Sequence, residues 1–296
     1  MKNIIYYIRK SQNHIISKVN DAAITGLKHQ GVEFEIKYED DYEPSEIAIL
    51  FGFHKNVNSG GRIRKIIYDE QGKLNKRMMV LERGFLKRNE YHSIGWDGVN
   101  GRANFNNINR PNDRLKLLNI DIKPWKIDGS KILVCGQVPW DSNLQHLNDG
   151  AKKGIDSVRG YLDWLGGLVT QLVEYEGNKR EIVFRPHPLF KRKDYYKEVL
   201  PEVRWSEIDF QEDLKDAWAC FAFNSNSVVE GMIEGVHGFA FDQGSVAFPY
   251  ANKRLKFLKK PHKFDREQFL SDVAYAQWNE EEIAQGLFWR ALNEKR

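Results

Sequence analysis

Residues 181–188 read EIVFRPHP, and residues 219–244 read ACFAFNSNSVVEGMIEGVHGFAFDQG. Each contains a short apolar run, Ile182–Phe184 and Cys220–Phe223, that stops abruptly in polar residues. Runs of this kind predict buried strands of a parallel sheet, whose C-terminal tips carry functional loops. After the second run, Asn224, Ser225, Asn226 and Ser227 precede Val228–Gly235, which has helical spacing and a terminal Gly. A Ser/Asn cluster opening a helix gathers backbone N–H groups and hydroxyls at one spot, which suits an anion. Arg185 and His187, on what reads as the neighbouring tip, add cationic donors; His187 lies between two prolines that restrict its backbone. The combination predicts a pocket for the diphosphate of an activated sugar. Glu230 and Glu234, one turn apart on the following helix, are suited to ribose hydroxyls; helix-surface charge is the competing reading, an equal one for Glu234 and the lesser one for Glu230.

Outward from this stretch, Lys131–Val134 predicts a further strand running into Cys135 and Gly136, with Gln137 and Asp141 at its functional end. Val158–Glu176 has the spacing of an amphipathic helix, and two helices, Arg266–Gln277 and Glu280–Ala291, close the chain. On the N-terminal side, strands are expected at Ile4–Ile8, Glu33–Tyr38, Ile47–Phe53 and Arg77–Glu82, with helices at Gln12–Gln30 and Gly61–Tyr68 between them. Such alternation is the pattern of a doubly wound α/β sheet. The polar segment Asp121–Ser130 reads as a boundary, giving domains 1–126 and 127–296, with the last helices crossing back onto the first.

Two features of the first half bear on an acceptor. Between Lys55 and Arg88 stand ten basic residues, Arg62, Arg64 and Arg83 among them, against three acidic ones. This run fits a polyanion, or simply a solvated helix face. The segment Tyr91–Arg114 is rich in Gly, Asn and aromatics without clear periodicity, which points to a functional loop or to an aromatic-pinned structural one. The functional reading assigns Trp96 to stacking and Asn100 and Arg102 to hydrogen bonding. A transfer to a hydroxyl needs a base, and Glu82 and Asp97 are the candidates, ahead of Asp141.

Walker A, GxSxG, HExxH and paired CxxC motifs are missing, and no DxD spacing marks a metal site. The two cysteines lie in predicted buried strands and are expected to be reduced, which fits a cytoplasmic protein. No window approaches eighteen unbroken apolar residues, so no transmembrane anchor is expected.

Residues 131–296 resemble the nucleotide-sugar half of GT-B glycosyltransferases, most closely the capsule and lipopolysaccharide Kdo-transferase-like group. The resemblance rests on Gln137 and Asp141, the His187-Pro188 pair with Lys191 after it, the run 224–227 leading into Glu230 and Gly231, and Ala276-Gln277-Trp278. In the first half, residues 82–85 and 95–102 resemble phage-encoded glycosyltransferases, some of which are believed to decorate hydroxymethylated pyrimidines in DNA. The resemblance implies a GT-B fold, two Rossmann-like domains facing across a cleft. It further implies metal-independent transfer from a UDP-sugar, another NDP-sugar or a CMP-sugar, with no tightly bound cofactor. Gln137, Asp141, Arg185, His187, Lys191, Asn224, Ser225, Ser227, Glu230 and Gly244 would hold the donor. The first-choice acceptor is a hydroxymethylated base in double-stranded DNA; the alternatives are a saccharide acceptor and a non-catalytic nucleotide- or polyanion-binding module.

Overall fold

The computed structural model describes residues 3–10, 12–52, 59–139, 141–144, 158–192 and 194–294, except the side chains of 59–62 and 142. The chain forms two compact units, one of Met1–Asn119 with Glu267–Arg296 and one of Ile120–Arg266. They divide at 119/120 and 266/267, not at 126/127.

The first part of unit 1 runs β1 (Ile4–Ile8), α1 (His14–His29), β2 (Glu35–Tyr38), β3 (Ile47–Phe51), α2 (Ser59–Lys73), β4 (Arg77–Arg83), β5 (Tyr91–Trp96) and α3 (Asp113–Leu118). β1 and β3 are almost wholly buried, as strands covered on both faces must be. Asn13 caps α1 by accepting from the Ile16 amide at 2.9 Å, and Lys28 and His29 suit the negative end of the helix.

Unit 2 follows with β6 (Lys131–Cys135), α4 (Val158–Glu176), β7 (Glu181–Arg185), α5 (Asp194–Lys197), β8 (Arg204–Trp205), α6 (Phe210–Lys215), β9 (Ala217–Ala222), α7 (Ser227–Ile233) and β10 (His237–Ala240). Its five strands pair in the order β8-β7-β6-β9-β10, all parallel. One face packs on α4 through Leu162, Leu165, Val169 and Leu172. Cys135 and Cys220 are buried free thiols on adjacent strands, 3.8 Å apart at sulfur.

The chain returns to unit 1 as α8 (Arg266–Ala274), β11 (Gln277–Asn279), α9 (Glu280–Ala284) and α10 (Leu287–Asn293). The unit 1 sheet then has the order β11-β5-β4-β3-β1-β2; β1 to β4 are parallel, β5 runs against them, and β11, antiparallel to β5, points the same way as β1 to β4. The helix expected over 266–277 ends at Ala274 because Gln277 is fully buried as a strand residue. Its Oε1 accepts from the Phe85 and Leu86 amides at 2.7 and 2.9 Å. Asn279 and Glu282 form a reciprocal capping box that starts α9, and Arg114 grips Glu282 with two bonds of 2.9 and 3.0 Å. α9 lies so close to α1 that a Cβ on Gly26 would fall 2.0 Å from the Ile283 carbonyl oxygen. Among the described residues, no helix is long and apolar enough to cross a membrane.

Candidate functional site

In an open α/β sheet, ligands favour the carboxyl ends of the strands at the point where strand order reverses. In unit 2 that point lies between β6 and β9, and the residues just past both strands meet there. Gln137 Nε2 donates to Asn224 Oδ1 at 2.7 Å, and the Asn224 amide donates to Gln137 Oε1 at 2.9 Å. Asn224 Nδ2 also donates to Asp242 Oδ1 and to the Asn143 carbonyl, both at 2.7 Å. The Gln137 backbone is held by two buried tyrosines: its N–H donates to Tyr161 Oη at 2.8 Å, and its carbonyl accepts from Tyr196 Oη. Burial raises the Tyr161 phenol well above its usual range, so it stays a neutral hydroxyl.

Gln137 and Asn224, expected to touch a donor, thus spend their polar atoms on each other and on Asn143 and Asp242. They position the loop that follows. Gly244 belongs to the same frame, its amide donating to Asp242 Oδ1 at 2.9 Å, and exposed Asp141 accepts from the Asn143 amide at 2.8 Å. Beyond Asn224 the chain turns sharply. Ser225 Oγ accepts from the Ser227 amide at 3.2 Å, Asn226 Nδ2 donates to Glu230 Oε1 at 3.0 Å, and the hidden Ser227 hydroxyl has no partner among the described residues.

The β7 tip differs from expectation. It is not adjacent to the β9 tip, because β6 lies between them, and two strand spacings separate the tips by ~10 Å. Arg185 does not join His187 as a free cation. Its Nη1 donates to fully buried Asp213 at 2.9 Å, to Ser206 Oγ at 3.1 Å and to the Ile208 carbonyl at 2.6 Å. Asp213 also takes Lys131 at 3.3 Å, so the guanidinium balances a buried carboxylate. His187 is half-exposed and its Nδ1 accepts from the Leu189 amide at 3.2 Å, which puts the ring proton on Nε2; Lys191 is exposed.

The unit 1 sheet reverses between β1 and β3, and here the tips carry charge. Arg9 Nη2 donates to the Phe51 carbonyl at 2.9 Å and Nε donates to Glu39 Oε1 at 3.3 Å. Arg64 also reaches the Phe51 carbonyl, at 3.4 Å, and its Nε lies 3.9 Å from Glu39 Oε2. Burial pushes the Glu39 carboxyl up to about 6, against the pull of Arg9. Gly52 sits in the middle with φ of 75°; a Cβ there would lie 3.2 Å from Arg9, 3.3 Å from Arg64 and 3.7 Å from Glu82 Oε2. Sequence reading missed Arg9 and Glu39, although each directly follows a predicted strand. Glu82 and exposed Arg83 end β4 on this side, with Glu82 Oε1 accepting from the Arg83 amide at 2.9 Å.

The remaining acceptor residues fall elsewhere. Tyr91–Trp96 is a strand, and because it runs against β4 its far end lies at the start of the parallel strands, away from the tips. Asp97 there bonds Arg77 Nε at 2.9 Å and the Met78 amide at 2.8 Å, so it pins a turn and stands remote from Glu82. Trp96 cannot stack on a ligand: it is buried in the core, with Arg77 over its ring at 4.2 Å. Asn100 and Arg102 form a short 3-10 turn at the same end. Arg64 is buried, and Arg62 lies within α2 with its side chain outside the described residues. Much of the basic run is neutralised, by Lys65–Asp69, Lys73–Glu70, Lys76–Glu46 and Arg77–Asp97 pairs.

No family model matches the chain, and no curated protein does. Solved structures do. A β-Kdo 2,4 transferase, KpsC of Thermosulfurimonas dismutans, is 13% identical, with 93% of this chain and 90% of that one covered, at a TM-score of 0.53. The β-Kdo 2,7 transferase of the same name and organism is 11% identical over 97% and 98% of the two chains, at 0.49. A co-structure of S. aureus MnaA with UDP covers 100% and 99% at 10% identity, at 0.31. At such identities the likeness shows fold alone, and that fold is the two-domain, Rossmann-like α/β architecture of GT-B enzymes.

Proposed function

We propose that the chain is a glycosyltransferase that moves a sugar from a nucleotide-activated donor to a hydroxyl of a saccharide. The observation that carries this reading is the β6/β9 reversal point of unit 2. There a fully hydrogen-bonded Gln137–Asn224 frame presents a Ser225–Ser227 turn, with a hidden hydroxyl that has no partner among the described residues. A nucleoside phosphate placed there would meet backbone N–H groups and serine hydroxyls, the donors that stabilise charge on a leaving group. Glu230 and His187 are assigned to the ribose and to a phosphate oxygen, and the likeness to a Kdo transferase of the same fold supports this. UDP-, other NDP- and CMP-sugars all present the phosphate this turn would hold.

In this reading Glu82, half-buried at the end of β4, takes the acceptor proton. A saccharide acceptor is favoured over DNA by specific placements: buried Trp96 offers no stacking face, and the paired lysines of α2 leave less charge for a phosphate backbone. The test is mass spectrometry of products from a panel of nucleotide sugars with glycan acceptors and hydroxymethylated DNA in parallel. Transfer to glycans, lost in His187→Ala, is expected; transfer to DNA alone would reverse the choice of acceptor.

A further inference from the structure

The opposite edge of the unit 2 sheet holds a cavity of about 860 Å³. Trp218 and His237 line it, and both stand at the N-terminal starts of their strands, so it opens away from the tips described above. Its rim carries Lys256, Lys259, Lys260 and Lys263, all exposed, and none of the four forms an ion pair with a described residue. Lysines elsewhere commonly do, as Lys10, Lys37, Lys73 and Lys215 show. The rim belongs to a stretch, 243–264, with no Asp or Glu at all.

Between these charges stand apolar groups. Ile127 is 91% exposed, the most exposed large hydrophobic side chain among the described residues, and it borders the cavity together with Phe257. The Lys256 ammonium lies 5.2 Å from the centre of the Phe257 ring and that of Lys259 5.3 Å from the centre of the Tyr175 ring, so cationic and aromatic groups alternate on this face. A projecting aliphatic side chain ringed by uncompensated lysines matches one environment in particular, a layer of phosphates above hydrocarbon.

We propose that this face docks on an anionic phospholipid bilayer, with Ile127 and Phe257 entering the headgroup boundary and the four lysines contacting lipid phosphates. The inference stands apart from the saccharide-transfer reading, since it concerns binding alone and uses none of the residues assigned there.

Flotation of the full chain with vesicles of phosphatidylcholine and phosphatidylglycerol, 3:1 by order of magnitude and without any sugar donor, tests it. Binding is expected to the mixed vesicles and not to phosphatidylcholine alone, and to fall steeply with added salt. A lysine near an anionic surface is worth about five-fold in affinity, so Lys256→Gln/Lys260→Gln/Lys263→Gln should bind about a hundred-fold more weakly. Ile127→Asp should lose about ten-fold. Both variants alter exposed side chains, and unchanged thermal melts would establish that they fold. His187→Ala, expected to lose transfer, should float like the parent, which separates failure of one reading from failure of the other. Equal partition onto neutral vesicles, parent-like flotation of the triple variant, or displacement by millimolar glycerol phosphate would each overturn the proposal, the last by assigning the cavity to a soluble anion.

Discussion

The two sheets reverse strand order at corresponding places and fill the crevice with opposite chemistry. In unit 2 the crevice is closed by neutral amides, Gln137 and Asn224, each satisfied by the other and fixed from behind by Tyr161 and Tyr196. In unit 1 it is closed by Arg9, Glu39 and Arg64 around a glycine. An amide frame holds its geometry at any ordinary pH, which suits a rigid anion cradle. A buried carboxylate between guanidiniums responds to protonation, so the unit 1 crevice is the one whose behaviour should change with pH.

The comparison can be broken most sharply at the β4 tip. If unit 1 supplies chemistry, Glu82→Gln should lower kcat by about a thousand-fold and leave nucleotide affinity unchanged, as measured by steady-state kinetics beside calorimetric titration. Next in size is the amide frame. Asn224→Ala removes partners from Gln137, Asn143 and Asp242 at once, and chemical denaturation should show a loss of about 3 kcal/mol together with loss of nucleotide binding. Gly52→Ala should cost about 1.5 kcal/mol, because φ of 75° disfavours a side chain and the new methyl would press on Arg9 and Arg64. A change below about half a kcal/mol there would mean the charged crevice is looser than its distances imply.

The smallest effect concerns pH. Glu39 titrates near 6 in the folded chain, above its ordinary 4.5, so the folded state takes the proton more readily than the unfolded one. The stability this lends is fully present below about 4.5 and is lost as pH rises through about 6. Denaturant melts of the parent and of Glu39→Gln should therefore converge or cross in that window, with the parent gaining about 1 kcal/mol relative to the variant from pH 6.5 to 4.5. A constant difference across the series would remove Glu39 as the titrating group.

What the sequence discloses follows from how local each feature is. The parallel strands and α4 are legible because their apolar residues are consecutive or helically spaced, and Val158–Glu176 is read to the residue. Tyr91–Trp96 hides because its interior holds His92, Ser93 and Gly95, and it is a strand only by pairing with β4 and with Gln277–Asn279 far along the chain. The site shows the same division. Polar residues just past a strand can be found by position, but whether they face a ligand or each other depends on strand order, which places β6 between β7 and β9. Arg185 illustrates it, since nothing near it in sequence announces that Asp213 will claim its charge. The lysine-rimmed cavity had a visible signal in the acid-free stretch 243–264, with its close spacing of lysines and aromatics.

Hydrogen exchange of the full chain, with and without saturating UDP or CMP, addresses the donor cradle most directly. Slowed exchange in peptides covering 136–139 and 223–231, with 39–52 and 256–263 unchanged, is the predicted result. Protection absent with every nucleotide tried, or confined to segments other than the β6 and β9 tips, would contradict it.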